Sequence, residues 1–397
     1  APHRHEGDVA LAGVPQLRRL AGRDVAQRRR RSGHDDHFLF RVRGEFRRVH
    51  VQPIDVQRCE PIRKIHQRCR AETEELARAT EKSHGGRVYK VADMEMMSRA
   101  RGVLYGQCIG DNLGALVEFY KPEEIAAEYP DGVRDMRDGG RWGLKPGQAT
   151  DDTEMAVELI EAIVRSGGYD ESAALAGYKR WMGTDPFDAG NTCRSALERG
   201  EKDDESQANG ALMRVSPLAV AYAGRPEAAE RFARADAALT HPNPMTVAAN
   251  AVYAGALADV VAGADPLEAL RVRLERENLD QYRDDKAIAR GDTTATWESH
   301  LPQSGGGWVC TALNAVVYHV AQGTDFEEAL VQTIALGGDT DTNAAIVGAF
   351  LGGVVGEHAI PQRWRDVIDA IEPPLAHNRP ERYVPRPRDW VEALLAE

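Results

Sequence analysis

The sequence predicts an all-α body on three observations. Apolar residues recur at spacings of three and four, no segment of the body alternates convincingly enough to be a strand, and the periodic stretches end in capping residues. A chain of 397 residues can hold more than one domain, and a single helical unit of about 300 residues is equally ordinary.

Charge divides the chain. Of 50 Lys+Arg and 62 Asp+Glu, 17 and 8 fall at or before Arg70, leaving 33 against 54, so a basic arm precedes an acidic body within a net charge of −12. Residues 1–93 read as a basic N-terminal arm, disordered or accessory, and 94–397 as the helical domain. Short apolar runs such as Phe38-Leu39-Phe40 carry no sustained period, so no fold is assigned to the arm. The run Arg28 to Arg31 suits a solvated arm better than a binding patch, and an acidic body argues against a nucleic-acid partner, whose affinity comes largely from Lys and Arg on phosphates. Five cysteines without a close CxxC pair (Cys59, Cys69, Cys108, Cys193 and Cys310) indicate neither a disulfide framework nor a zinc site. With no apolar run expected to span a bilayer and no signal-peptide layout at the start, a soluble cytoplasmic protein without a membrane partner is expected.

The first clear helix begins near Met97, where Ala100, Val103, Leu104 and Cys108 give Gly102 to Glu118 a buried face. Gly106, Gly110 and Gly114 share one stripe and permit close packing, while Asp111 and Glu118 invite a role, Glu118 near the helix end. A Gly-rich loop through Trp142 leads to Thr150-Asp151-Asp152-Thr153, ahead of a helix marked by Met155, Leu159, Ile160 and Ile163 and capped by Asp152 or Thr153. Asn209-Gly210 is a turn signal before an apolar helix through Val220. His241 stands between two helices, a position that ordinarily makes a cap or surface residue. The span Asp265 to Leu301 is charged, helical at first and then loop. Next, Ser304-Gly305-Gly306-Gly307-Trp308 can present backbone N–H groups to an anion at the start of a helix over Cys310 to Ala321. The helix Phe326 to Leu336 is stopped by Gly337-Gly338, and Ala344 to Val355 reads as a buried helix whose Gly348 and Gly352 admit a close neighbour. One or two closing helices follow Pro361, with Trp364 and Trp390 buried.

Between those last buried helices stands Asp339-Thr340-Asp341-Thr342. Carboxylates at the mouth of a core must be paired, protonated or bound to a cation, and oxygen donors suit Mg²⁺, Mn²⁺ or Ca²⁺ rather than zinc. Taken alone, the stretch is explained equally well as a turn capping the following helix. Thr150, Asp151 and Asp152 repeat its chemistry, however, and capping accounts for only one residue of that group. Two such half-sites at helix termini can fold into one divalent-metal site.

The ordered set Gly110-Asp111-x-x-Gly114-x-x-x-Glu118, Thr150-Asp151-Asp152-Thr153, Asn209-Gly210-x-x-Met213-Arg214, Thr240-His241-Pro242, Gly307-Trp308-Val309 and Gly337-Gly338-Asp339-Thr340-Asp341-Thr342-Asn343 resembles the ADP-ribosylglycohydrolase family over about Met97 to Pro361. The resemblance implies a compact orthogonal helical domain whose central cleft holds two Mg²⁺ or Mn²⁺ ions and binds ADP-ribose. It implies Thr150, Asp151, Asp152, Asp339, Asp341 and Thr342 as metal ligands and Glu118 as a mobile carboxylate beside them. Asn209, Gly210, Met213, Arg214 and His241 would line the ADP-ribose, with Gly305, Gly306, Gly307 and Trp308 facing the diphosphate. The expected activity is metal-dependent removal of ADP-ribose from a modified protein side chain or a related ADP-ribosyl substrate, with Asp152 and Glu118 both open as the base. Other readings are a non-catalytic ADP-ribose- or protein-binding module and an antidote to an ADP-ribosyltransferase toxin, acting either by reversing the modification or by engaging the toxin through the N-terminal arm.

Overall fold

The computed structural model describes residues 37–42, 45–50, 91–277 and 306–396, and the chain divides into two units, Ala1–Val56 and Gln57–Glu397. In the first unit β1 (His37–Val42) pairs antiparallel with β2 (Glu45–His50), His37 opposite His50 and Val42 opposite Glu45. The stretch to which the sequence assigned no fold therefore contains a hairpin, whose strands show no period because Phe38-Leu39-Phe40 and Arg47-Arg48 break the alternation of apolar and polar residues. The remainder of the arm through residue 90 lies outside the described residues.

The second unit is built, among its described residues, from fourteen α-helices. The first nine are α1 (Val91–Ala115), α2 (Pro122–Glu128), α3 (Asp151–Ser166), α4 (Glu171–Met182), α5 (Asn191–Arg194), α6 (Ser216–Ala221), α7 (Pro226–Ala237), α8 (Pro244–Val261) and α9 (Pro266–Arg276). After 278–305, which are not described, come α10 (Val309–Gln322), α11 (Phe326–Ala335), α12 (Thr340–Val355), α13 (Gln362–Ala370) and α14 (Pro387–Leu394).

The core is organised on α1 and α12, whose glycine stripes face each other. A Cβ on Gly102, Gly106 or Gly110 would overlap the backbone of Gly352, Gly348 or Ala344, a pairing that runs the helices antiparallel. With no side chains between them the backbones touch, and the C-terminal end of α1 arrives at the N-terminal end of α12. Helix α1 starts six residues before the expected Met97 and ends at Ala115, so Glu118 lies beyond the helix rather than in its last turn. Helix α8 corrects the expectation that no apolar run is long enough to span a bilayer. It qualifies by length and mean hydropathy, yet 83% of the window is buried, and it packs as a core helix between α7, α9 and α12. Trp364 is buried as expected, whereas Trp390 is only partly so.

Candidate active site

The antiparallel α1–α12 pair brings the first half of the site together. Thr340 Oγ1 donates to the Gly114 carbonyl at 2.7 Å, tying the acidic turn to the end of α1. Beyond that end the chain turns back along the Gly337-Gly338 stop. The Phe119 N–H donates to the Gly338 carbonyl at 2.7 Å and the Gly338 N–H donates to the Tyr120 carbonyl at 2.9 Å. Gly337 and Gly338 have φ of +71 and +73, and a Cβ at Gly337 would sit 2.5 Å from the Tyr120 oxygen, so glycine is required for this approach. Glu118, Asp339 and Asp341 are thereby gathered with one carboxylate oxygen each within 4.8 Å of the others.

The second half-site hangs from the middle of α1. Instead of Asp152 or Thr153, the N-cap position of α3 is held by Thr150, which makes no side-chain cap bond. Asp111 caps the helix from outside, accepting the Thr150 N–H at 3.0 and 3.2 Å and the Thr153 N–H at 3.2 Å. Because Asp111 satisfies these donors, the Thr150 hydroxyl and both aspartates are released for the cleft. Thr150 Oγ1 donates to Asp152 Oδ2 at 3.1 Å, and Thr342 Oγ1 reaches the same oxygen at 3.5 Å, joining the two half-sites. Gln107 of α1 fixes this layer, donating to the carbonyls of Asp152 and Met213 at 3.3 and 3.1 Å.

So many buried carboxylates cannot all be charged without a counter-charge. Burial pushes Asp151, Asp152 and Asp341 well above the usual carboxylate range, with neighbouring carboxylates adding to it, and raises Asp339 too. Burial carries Asp111 to about 7 against the opposing hydrogen bonds from Thr153 and Thr150. Burial and then the charge of Asp188 carry Glu118 to about 8, while the Trp142 indole N–H, which donates to the Glu118 carboxylate, opposes the shift. Asp188 is itself raised to about 6, by burial first and Asp339 second. The donors are all oxygen, and Asp152 Oδ1 is buried without a hydrogen-bond partner, so the set fits a hard divalent cation.

The surrounding wall contains most of the other anticipated residues. Asn209 Nδ2 donates to Asp339 Oδ2 at 2.7 Å and the Asn209 N–H donates to the Gly307 carbonyl at 3.1 Å. Asn343 Nδ2 donates to the Gly306 carbonyl at 3.1 Å, and the Trp308 indole donates to Gln207 Oε1 at 2.8 Å, so Gly306 to Trp308 are seated against the acidic turn. Gly305 lies outside the described residues. His241 is neither a cap nor a surface residue: it is buried, Nδ1 shares a hydrogen bond with Thr240 Oγ1 at 2.8 Å, and burial followed by the charge of Arg214 pushes it down to about 3, so the ring is neutral. Gly210 packs against that ring and Met213 is buried. Arg214 departs from expectation. Its guanidinium is buried on Asp236, with Nε to Oδ2 at 3.0 Å, Nη2 to the carbonyl at 3.0 Å and the Tyr178 ring centroid 4.1 Å away, so it braces the wall instead of reaching for a ligand.

The family model for ADP-ribosylglycohydrolase matches residues 92–396. The chain belongs to the ADP-ribosylglycohydrolase family. It is 33% identical over 307 residues to ADP-ribosyl-[dinitrogen reductase] glycohydrolase of Rhodospirillum rubrum, covering 75% of this chain and 96% of that protein. It is 28% identical over 303 residues to ADP-ribosylarginine hydrolase Tri1 of Serratia proteamaculans, covering 70% and 77%. A solved ADP-ribosylglycohydrolase-related protein complex superposes with a TM-score of 0.61 at 31% identity, over 76% of this chain and 99% of that one. As an ADP-ribosylglycohydrolase the chain is a hydrolase that removes ADP-ribose, and its all-α body is that family's fold. Two residues at the site carried no signal in the sequence of this ADP-ribosylglycohydrolase: Asp188, one acid in the loop after α4, and Trp142, one aromatic in a Gly-rich loop.

Proposed function

We propose that the chain hydrolyses the bond between ADP-ribose and a modified protein side chain, in a reaction dependent on two Mg²⁺ or Mn²⁺ ions. The convergence of Glu118, Asp339 and Asp341 on one point, with Asp152 joined to them through Thr342, carries this reading. Thr150, Asp151, Asp152, Asp339, Asp341 and Thr342 would hold the ions, and Asp152 Oδ1, buried without a hydrogen-bond partner, is open to serve as one of the ligand atoms. Bound there, the cations would hold sugar hydroxyls and lower the pKa of a water.

The chain's own residues supply the rest. Cleavage passes through an oxocarbenium-like state, and the carboxylates around it stabilise the developing positive charge. Asp152 is engaged by Thr150 and Thr342, which suits a fixed ligand, whereas Glu118 lies on a turn beyond α1 and is held by the Trp142 indole. We therefore assign the proton transfer to Glu118, which is free of the threonine contacts that fix Asp152 and stands within 4.8 Å of Asp339 and Asp341. Asn209 and the Gly306 to Trp308 wall orient the ribose and diphosphate, and neutral His241 offers a hydrogen bond without adding charge. Incubating the protein with ADP-ribosylated arginine, serine and nucleic-acid substrates, with and without Mg²⁺ or Mn²⁺, tests the proposal. Cation-dependent ADP-ribose release from a protein side chain is expected, and release from none of them would refute it.

A further inference from the structure

Phe119 directly follows Glu118, and its side chain faces water. It is 55% exposed, the most open of three exposed large hydrophobic residues among those described, the others being Val164 and Val272 on helix surfaces. Its backbone is in the left-handed region at φ +62, a conformation that residues with a Cβ seldom adopt. Glycine would remove that strain and a polar side chain would remove the exposure, yet the position has neither. The conformation is imposed by the exchange of backbone hydrogen bonds between Phe119, Tyr120 and Gly338, the same contact that delivers Glu118 to the acidic turn. An outlier held this firmly beside a reacting carboxylate points to use of the ring itself.

The ring is also one end of a continuous rim. The exposed guanidinium of Arg141 lies 5.6 Å from the Phe119 centroid and 5.8 Å from that of Trp142. Trp142 donates to Glu118 and packs against Phe187 at 5.6 Å between centroids. Aromatic faces bordered by a cation thus begin at Glu118 and continue outward to solvent. A polypeptide is too large to enter the buried acidic centre, so its main chain must stay at this mouth while the modified side chain reaches in.

We propose that Phe119, with Arg141 and Trp142 beside it, is the acceptor-side contact that holds the polypeptide carrying the ADP-ribose. This inference rests on the function proposed above and adds the part of the substrate that the acidic centre does not read. The phenyl ring gains apolar cover from residues flanking the modified one, and Arg141 takes a main-chain carbonyl or a flanking carboxylate.

The test compares two substrates with the same sugar linkage: an ADP-ribosylated polypeptide and the ADP-ribosylated amino acid released from it by exhaustive proteolysis, in whichever linkage the wild type cleaves. For Phe119→Ala the ratio of kcat/KM on the polypeptide to kcat/KM on the free amino acid should fall about tenfold, mainly through a higher KM for the polypeptide, and Phe119→Tyr should restore it. Arg141→Ala should shift the ratio the same way. Phe119→Gly, which suits the left-handed backbone, keeps the test valid if Phe119→Ala fails to fold. An unchanged ratio, or an equal loss on both substrates, overturns the proposal. If the wild type cleaves neither substrate, the function proposed above fails, and this inference falls with it.

Discussion

Gly106 of α1 and Gly348 of α12 meet backbone to backbone, so that a Cβ on either would overlap the carbonyl of the other. No flexible side chain stands between them to give way, so the helices themselves would have to separate. Gly106→Ala and Gly348→Ala are each expected to cost about 1–3 kcal/mol or more by overpacking. Because the same two helices carry Glu118 and the 339–342 turn at their adjoining ends, the variants should also bind Mn²⁺ more weakly. Gly183→Ala is the control, since a Cβ there would meet only ordinary contacts at 3.4 and 3.5 Å. Thermal unfolding should separate Gly183→Ala from both core variants, and an unchanged melting temperature in Gly106→Ala would contradict the packing account.

Much of this arrangement was legible in the sequence, because its signals are local. The two glycine stripes, the Gly337-Gly338 stop and the two hydroxyl-and-carboxylate clusters each span one or two helical turns, where spacing alone reports a shared face. That the stripes face each other is a tertiary fact, as is the partner of Arg214, since Asp236 lies 22 residues away with no helical spacing to connect them. The cap of α3 was misplaced for the same reason: Thr153 and Asp152 look like caps until Asp111, some 40 residues earlier, takes the free N–H groups. Trp142 and Asp188 stood outside any pattern because a single residue in a loop has no period. His241 looked like a boundary residue, and only the packing of Gly210 and Arg214 around it shows why it is buried and neutral.

Asp341→Asn removes one charge and one oxygen donor while conserving shape. Turnover with Mg²⁺ or Mn²⁺ should fall at least ~100-fold, and calorimetry should show weaker cation binding by a similar or larger factor. Without cation the variant should be as stable as the wild type or more so, since it lacks one buried carboxyl whose charged form burial and its acidic neighbours oppose. Full activity in Asp341→Asn would reduce the acidic turn to a helix cap.

The raised carboxyls also set a pH dependence. In the folded, metal-free chain Glu118, Asp111 and Asp188 titrate near 8, 7 and 6, all above their values in an unfolded chain. The native state therefore holds more protons than the unfolded state between about pH 4 and about pH 8, and the stability these groups give is lost progressively across that range, the last of it as pH rises through 7 and 8. His241 and His319, both pushed down to about 3 by burial, act with the opposite sign and weaken the fold only below about pH 6.5, where the unfolded chain takes up their protons. Between pH 6.5 and 8 the carboxyls alone govern, with a slope of about 1.4 kcal/mol per pH unit for each proton difference. Melting temperature in chelator should decline across that window, and saturating Mn²⁺ should flatten or reverse the trend, because the cation replaces the protons. A metal-free melting temperature that rises from pH 6.5 to 8 would show that the acidic cluster is not protonated in the native state.

Glu118→Gln separates proton transfer from binding. The amide keeps the shape of the side chain and can still accept from the Trp142 indole, but it can neither carry the acidic proton nor give it to the acceptor. ADP-ribose affinity should stay within roughly tenfold, about 1.4 kcal/mol, while the single-turnover rate falls by about two orders of magnitude or more. Stability should hold or rise at pH 8, since burial and Asp188 both oppose the charged form that the substitution removes. If Glu118 serves mainly as a cation ligand with Asp339 and Asp341, the loss should appear instead as weaker Mn²⁺ binding, and raising the Mn²⁺ concentration should recover the rate. Measuring ADP-ribose affinity, Mn²⁺ affinity and single-turnover rate on one preparation distinguishes these outcomes. A rate that recovers fully at high Mn²⁺ moves the proton-transfer role away from Glu118 and back to Asp152.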